Sequence, residues 1–156
     1  AYVEQPFPKA DLRSHAGLRQ EMLADVAVDE PIDSTQAAIV AIEAGAADIL
    51  VVKPGRIGLG ACRVIHDLAL AAGIRVKASG LLETAIGRAH TLAVATLPAA
   101  VHSDVAVDSW FFDSATGSPQ LVVVDGLITA SAEPGTAVSP DLDALVPYVV
   151  RDITIG

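Results

Sequence analysis

The feature that most constrains the fold of this chain is a regular alternation of short β-rich runs with longer helical patterns. The predicted strands cover residues 2–5, 26–29, 49–53 and 74–77. They recur at a pitch of about 25 residues, which is typical of parallel strands joined by right-handed helical crossovers. The run 49–53 is apolar almost throughout, as expected of a parallel strand that is buried on both faces. The pattern therefore predicts an α/β fold, either an open doubly wound sheet or an arc of a barrel.

Helical spacing of apolar residues predicts one helix after each of these strands. The predicted helices cover residues 11–23, 34–44, 59–72 and 84–97. Asp11 and Ser34 are suited to begin two of them, because short oxygen-bearing side chains accept hydrogen bonds from the first turn. Gly45 and Gly73 follow two of the helices, where a glycine commonly ends a helix.

The pattern changes after Pro98, where residues 102–107 allow one more short strand. Asp125-Gly126 lies between the apolar runs 121–124 and 127–130, and this arrangement predicts a β-hairpin because a tight hairpin turn needs residues that tolerate positive φ. A complete (β/α)₈ barrel needs about 250 residues. A chain of 156 residues can therefore form only part of one.

Composition excludes several classes of function. The chain has 10 Lys and Arg against 19 Asp and Glu, a net charge of −9. A nucleic-acid-binding protein usually presents a basic face, so we expect no nucleic-acid partner. Every long apolar run is interrupted by charged residues or proline, and no basic amphipathic helix is evident, so we expect no membrane partner. No secretion signal opens the chain and Cys62 is its single cysteine, which favours a cytoplasmic location.

Ionisable residues stand at the carboxyl ends of the predicted strands. They are Glu4, Asp29 with its neighbour Glu30, Lys53, and the loop 80–83. Loops at the carboxyl ends of parallel strands converge on one crevice, so we expect these side chains to form a site. Two carboxylates held close together need partners, and a hard cation such as Mg²⁺ suits them. A lysine near a divalent cation has a lowered pKa and can transfer protons near neutral pH.

Strand parity distinguishes Asp29 from Glu30. Side chains alternate between the two faces of a strand, so Asp29 shares a face with Ala27 while Glu30 shares one with Val26 and Val28. The small Ala27 suits a barrel interior near a site, and the valines suit the side that faces helices. We therefore predict Asp29 as the ligand and Glu30 as a supporting residue.

Each of these residues also has a purely structural interpretation. A carboxylate at a strand end is commonly a solvated loop residue or a helix cap, and Lys53 can extend from its strand end to water. Repetition at one pitch on successive strands favours a site instead. The glycines of residues 55–60 stand in the wrong order for a dinucleotide-binding loop.

Four runs of this sequence, taken in order, resemble the carboxyl-terminal half of an enolase-superfamily barrel. They are Tyr-Val-Glu-Gln-Pro (2–6), Val-Asp-Glu-Pro-Ile-Asp-Ser (28–34), Val-Lys-Pro-Gly-Arg-Ile-Gly (52–58) and Gly-Leu-Leu-Glu-Thr-Ala-Ile-Gly-Arg-Ala (80–89). The last two look most like o-succinylbenzoate synthases and N-acylamino acid racemases. The resemblance implies a partial (β/α)₈ TIM-type barrel, its second half with about four to five βα units, and a C-terminal β-hairpin tail. Residues 1–113 would form the barrel half, and residues 114–156 would return toward the family's capping domain.

The same resemblance implies a reaction in which a proton is abstracted next to a carboxylate with the help of Mg²⁺ or Mn²⁺. Glu4 and Asp29 would be metal ligands. Lys53 would be the acid–base residue or a cation that stabilises the enediolate, and Glu83 would hydrogen-bond the substrate carboxylate. The residues that would shape the pocket or support the ligands are Gly80, Leu81, Leu82, Glu30 and Arg56.

The family's first metal ligand and its Lys-x-Lys pair lie on strands earlier than the one that carries Glu4. We therefore expect the chain alone to bind Mg²⁺ weakly and to act on a small carboxylate as part of an oligomer, with a first barrel half or another copy of the chain. Two departures from the family pattern, Asp-Glu-Pro at 29–31 and Gly-Leu-Gly at 58–60, leave the subfamily open. The alternatives are a muconate cycloisomerase, a dipeptide epimerase, or a non-catalytic half barrel that pairs through its sheet edges.

Overall fold

A parallel four-stranded sheet forms the centre of the computed structural model, which describes residues 1–151 and residue 153. The strands are β1 (Tyr2–Glu4), β2 (Asp25–Val28), β3 (Ile49–Val52) and β4 (Arg75–Ala78), in the spatial order β1-β2-β3-β4. Consecutive strands are neighbours throughout, with Glu4 beside Ala27 and Ile49 beside Arg75. A doubly wound sheet reverses its strand order at a switch point. The described residues show no such reversal, so the predicted parallel α/β fold is confirmed as an arc.

Helices connect the strands and cover one face of the sheet. They are α1 (Leu12–Glu21), α2 (Thr35–Glu43), α3 (Pro54–Ile57), α4 (Leu59–Ala71), α5 (Ala85–Ala95) and, near the end, α6 (Leu142–Leu145). The predicted caps are confirmed, because the side chain of Asp11 accepts from the Ser14 N–H and that of Ser34 from the Ala37 N–H. Helix α3 was not predicted, since its four residues are too few to show a helical period.

The two faces of the sheet bury different sets of residues. The helix-facing side packs in one core cluster that includes Val28, Leu50 and Val52. The opposite, concave side carries a smaller cluster in which Ala27 packs with Ile49 and Val51. This is the alternation predicted for β2, which ends one residue before Asp29.

The chain continues along β4 after α5 without forming a full fifth strand. The strand predicted at residues 102–107 is replaced by two isolated parallel bridges. These join Val76 to Ala100 and Ser79 to Asp104. His102 has a φ of 46°, and this left-handed conformation interrupts the extended run between the bridges.

The C-terminal part contains a short antiparallel pair, β5 (Gly117–Ser118) and β6 (Ser139–Pro140). The predicted turn at Asp125-Gly126 is present, with positive φ at both residues and reciprocal backbone hydrogen bonds of 2.9 Å between Val124 and Leu127. The strands predicted at 121–124 and 127–130 extend no further than this bridge. Both bridging side chains are exposed, and a two-stranded hairpin without a buried face is only marginally stable.

Two short 3₁₀ helices (Asp108–Trp110 and Val146–Tyr148) complete the described structure. The boundary predicted at residues 113/114 stays a prediction, and the end of the predicted segment 114–156 lies outside the described residues. Within the described part of the chain, no helix has the length and apolar character needed to cross a bilayer.

Candidate functional site

Asp29 lies at the carboxyl end of β2, where two cations bind its carboxylate. Lys53 donates from Nζ to Oδ2 at 2.6 Å, and Arg56 donates from Nη2 to Oδ1. Lys53 directly follows β3, and Pro54 begins α3 immediately after it, which brings Arg56 back to the same carboxylate one turn later. Gln5 fixes the backbone beneath, because its Oε1 accepts from the Asp29 N–H at 2.8 Å. A buried carboxylate of this kind is stable only when such partners replace water.

Glu4, at the end of β1, forms an ion pair with a residue that is not among the predicted site residues. Lys77 of β4 donates from Nζ to Glu4 Oε2 at 2.7 Å, across the concave face of the sheet. The same Nζ lies 5.4 Å from the centre of the Tyr2 ring. Burial lowers the pKa of Lys77, but its hydrogen bond to Glu4, the charge of Glu4 and the nearby Tyr2 outweigh this, so the pKa is raised overall. Lys77 is therefore an ammonium ion at neutral pH.

The structure thus brings most of the predicted site residues to one end of the sheet. Asp29, Lys53 and Arg56 form one cluster, and Glu4 stands at the end of the adjacent strand. Glu30 is exposed, in a turn that follows β2. A signal for Lys77 was present in the alternation Arg-Val-Lys-Ala at 75–78, which places charged residues on the concave face of β4.

The loop 80–82 follows β4, and Leu81 and Leu82 are exposed there. Arg88 of α5 holds this loop by donating from Nη2 to the carbonyl oxygen of Leu81 at 2.5 Å. Glu83 is buried below the loop, where its Oε2 accepts from Thr91 Oγ1 at 3.3 Å and lies 3.8 Å from Arg88 Nη1. Its other oxygen, Oε1, is buried without a hydrogen-bond partner among the described residues.

Three glycines make room for the Glu83 side chain. A Cβ atom at Gly55, Gly80 or Gly87 would lie 2.4, 2.9 or 2.7 Å respectively from an atom of Glu83. Gly55 belongs to α3, the helix that also carries Arg56. The Glu83 carboxyl therefore lies against the same short helix that orients the Asp29 cluster. Its predicted contact with a substrate carboxylate stays a prediction.

The carboxylates of Glu4 and Asp29 have the chemistry that Mg²⁺ prefers, since this ion binds hard oxygen ligands. They are two donors at neighbouring strand ends. Across residues 1–151 and 153, no group of three or more His, Cys, Asp or Glu side chains is placed to hold a metal ion. The two acids therefore fit part of a donor set, whose other members must be water, substrate or residues beyond those described.

Comparison with known proteins shows the family to which this chain belongs. Residues 1–144 match the family described as Enolase C-terminal domain-like. The chain belongs to the enolase superfamily. This enolase-superfamily chain is 35% identical over 157 residues to an N-succinylamino acid racemase of Amycolatopsis sp, a match covering 99% of the chain and 42% of the racemase. It is 33% identical over 151 residues to the o-succinylbenzoate synthase of Bacillus subtilis, a match covering 96% of this chain and 41% of the synthase.

Solved structures of the superfamily show the same fold. A member from Listeria innocua superposes with a TM-score of 0.85 at 27% identity, over 94% of this chain and 40% of that one. Muconate lactonizing enzyme from Pseudomonas putida has a TM-score of 0.85 at 23% identity, over 94% of this chain and 42% of that enzyme. At this identity the likeness is one of fold alone. The enolase-superfamily chain thus spans about two fifths of the length of these relatives and corresponds to the C-terminal half of the barrel. The resemblance read from the sequence is confirmed.

Proposed function

We propose that this chain supplies the second barrel half of a Mg²⁺-dependent enzyme that abstracts a proton next to a carboxylate. The reaction would be of the o-succinylbenzoate synthase or N-succinylamino acid racemase type. The observation that carries the proposal is the placement of Glu4, Asp29 and Lys53 at the carboxyl ends of three adjacent strands. It is supported by identities of 33% and 35% to a synthase and a racemase of those names.

In this proposal Glu4 and Asp29 hold the divalent cation, which supplies Lewis-acid stabilisation of negative charge on the substrate carboxylate. Lys53 takes or returns the proton at the neighbouring carbon through Nζ. To do so, Nζ must leave Asp29. Arg56 binds the other oxygen of Asp29, so the carboxylate keeps one fixed partner while Lys53 acts. Arg56 is thus a positioning residue rather than a catalytic one.

The loop 80–82 bounds the substrate side of the site in this proposal. Its exposed leucines, Leu81 and Leu82, suit the apolar part of a substrate. Glu83 would contact the substrate carboxylate through Oε1, because Thr91 and Arg88 lie at Oε2. That contact requires a proton shared between the two carboxyl groups, since two carboxylates at hydrogen-bond distance repel one another.

We further propose that the enzyme needs the remaining strands of the barrel. Residues 1–113 would form the second half, residues 114–156 would return toward a capping domain, and a first half or a second copy of the chain would complete the ring. The sheet of β1 to β4 has half the eight strands of a complete barrel. Two carboxylates also leave most of the six ligand positions of Mg²⁺ to other groups. The proposed location is the cytoplasm.

The reaction is tested by exchange of the α-proton of an N-succinylamino acid in deuterated water, followed by proton NMR. The protein is assayed with Mg²⁺ or with a chelator, alone and mixed with an N-terminal enolase-superfamily fragment. We expect exchange with Mg²⁺ and the fragment together, and a loss of about 10²- to 10⁴-fold in Lys53→Ala. Formation of o-succinylbenzoate, assayed in parallel, distinguishes the synthase from the racemase.

The matched control is Arg63→Ala, which removes an exposed cation of α4 that pairs with Asp67 on the same helix. This variant should exchange the proton as the unmodified protein does. Exchange that persists in Lys53→Ala, or that ignores the chelator, contradicts the proposal. A stable homodimer that shows no exchange under any of these conditions supports a non-catalytic half barrel instead.

A further inference from the structure

Lys77 is a charged residue placed among apolar neighbours. It lies on the concave face of β4, beside Val51 in the register of the sheet. Its side chain is 6% exposed, so water does not solvate the ammonium. A buried charge requires a counter-ion, and Lys77 finds it in Glu4, which comes from the other end of the four-strand order.

The two members of this pair differ in their access to solvent. The Glu4 side chain is 30% exposed against 6% for Lys77. A solvated cation can therefore reach the carboxylate but not the ammonium. The Glu4 carboxylate thus binds a buried ammonium and is accessible to a second cation from solvent.

A divalent cation on Glu4 would stand beside the Lys77 ammonium. Like charges at such short range repel strongly in a partly buried site, where the effective dielectric constant is well below that of water. The Asp29 carboxylate does not compensate this repulsion, because Lys53 and Arg56 already bind its two oxygens. Two carboxylates here face three cations, and a metal adds further positive charge.

We infer that Lys77 is an internal counter-ion that holds the Glu4 carboxylate in the metal-free protein and competes with a divalent cation for it. The inference rests on the proposed function, which makes Glu4 a metal ligand. Lys77 is a positioning residue in this scheme. It fixes Glu4 on the concave face and weakens metal binding until its ammonium moves away.

The test measures Mn²⁺ affinity from the electron paramagnetic resonance signal of unbound Mn²⁺. Lys77→Met keeps the apolar stem and removes the charge, and we expect it to bind Mn²⁺ at least about 10-fold more tightly than the unmodified protein. The double variant Glu4→Gln/Lys77→Met should lose this gain, because the gain acts through Glu4. The matched control is Arg75→Met, which removes a cation from the same face of β4 that pairs with Asp25 instead. Its affinity should be unchanged.

Equal affinity of Lys77→Met and the unmodified protein overturns the inference, including the case in which neither binds Mn²⁺. The same holds if Arg75→Met gains as much as Lys77→Met. If Lys77→Met does not fold, the test uses the unmodified protein labelled with ¹⁵N-lysine. The Nζ resonance of Lys77 must then shift when Mg²⁺ is added. A resonance that does not move on addition of Mg²⁺ overturns the inference.

The outcomes for the reaction and for Lys77 are separable. If Lys77→Met gains Mn²⁺ affinity but no form of the protein exchanges the α-proton, the proposed reaction is wrong and the counter-ion role stands. If exchange occurs and the affinity of Lys77→Met is unchanged, the reaction stands and the counter-ion role is wrong.

Discussion

Lys53 Nζ lies 2.6 Å from Asp29 Oδ2, and the two residues directly follow the neighbouring strands β3 and β2. Both side chains are largely buried, with 14% of Lys53 and 7% of Asp29 exposed. Arg56 binds the second oxygen of the same carboxylate. Because one buried carboxylate is the counter-ion of two cations, the group proposed to hold the metal also stabilises the fold.

Asp29→Asn should therefore destabilise the protein. The substitution leaves two largely buried cations without a charged partner, and breaking a buried ion pair from one side costs about 3 kcal/mol or more. We expect a loss of about that size in the free energy of unfolding, measured by urea denaturation. Asp33→Asn is the control, because Asp33 pairs with Lys9 at the exposed surface and such pairs contribute little. Equal urea midpoints for the two variants would contradict this account.

Gly87→Ala should destabilise the start of α5. The added Cβ would lie 2.7 Å from the Cβ of Glu83, an atom too close to the backbone to move by a rotamer change. Overpacking of this kind costs about 1–3 kcal/mol, which urea denaturation would detect. Gly60→Ala is the control in α4, where the added atom meets nothing within 4 Å. It should be neutral or more stable by up to about 1 kcal/mol, since alanine favours helices. The prediction fails if Gly87→Ala is as stable as Gly60→Ala.

The regular part of this fold was predictable because its signals are local. A parallel strand buried on both faces must be apolar, so β3 is visible as the run at 49–53, and the caps Asp11 and Ser34 mark the starts of α1 and α2. Parity within β2 also predicted that Ala27 and Val28 face opposite sides, and they pack in different core clusters. Each of these inferences uses residues only a few positions apart.

What the sequence did not indicate depends on distant contacts. Glu4 and Lys77 are 73 positions apart, and no periodic pattern reports that an ion pair joins them. The hairpin predicted around Asp125-Gly126 has the correct turn but little strand, because strand pairing needs a buried face that local sequence does not provide. The need for a glycine at position 55 likewise depends on a distant residue, Glu83, whose side chain packs against it.

The ion pair between Asp25 and Arg75 should make stability depend on pH. The hydrogen bond from Arg75 holds the pKa of Asp25 below its ordinary value of 3.8. The folded pKa is thus the lower one, so the stabilisation is present above the unfolded pKa and is lost as pH falls through the folded pKa. We expect the urea midpoint to fall less steeply in acid for Asp25→Asn than for the unmodified protein. Arg75→Met should flatten the profile in the same way, and a steeper fall in either variant would refute the assignment.

Cys62 should be unreactive in the native protein. It is fully buried in α4, and this burial raises the pKa of the thiol to about 11. Since the thiolate is the reactive form, iodoacetamide at about pH 8 should not alkylate the folded chain but should alkylate it in urea, as mass spectrometry would show. The folded pKa is the higher one, so stability should decrease as pH rises above the unfolded thiol's pKa. Cys62→Ala should lack that alkaline decrease. Native labelling as fast as in urea would mean that α4 does not bury its thiol-bearing face against the sheet.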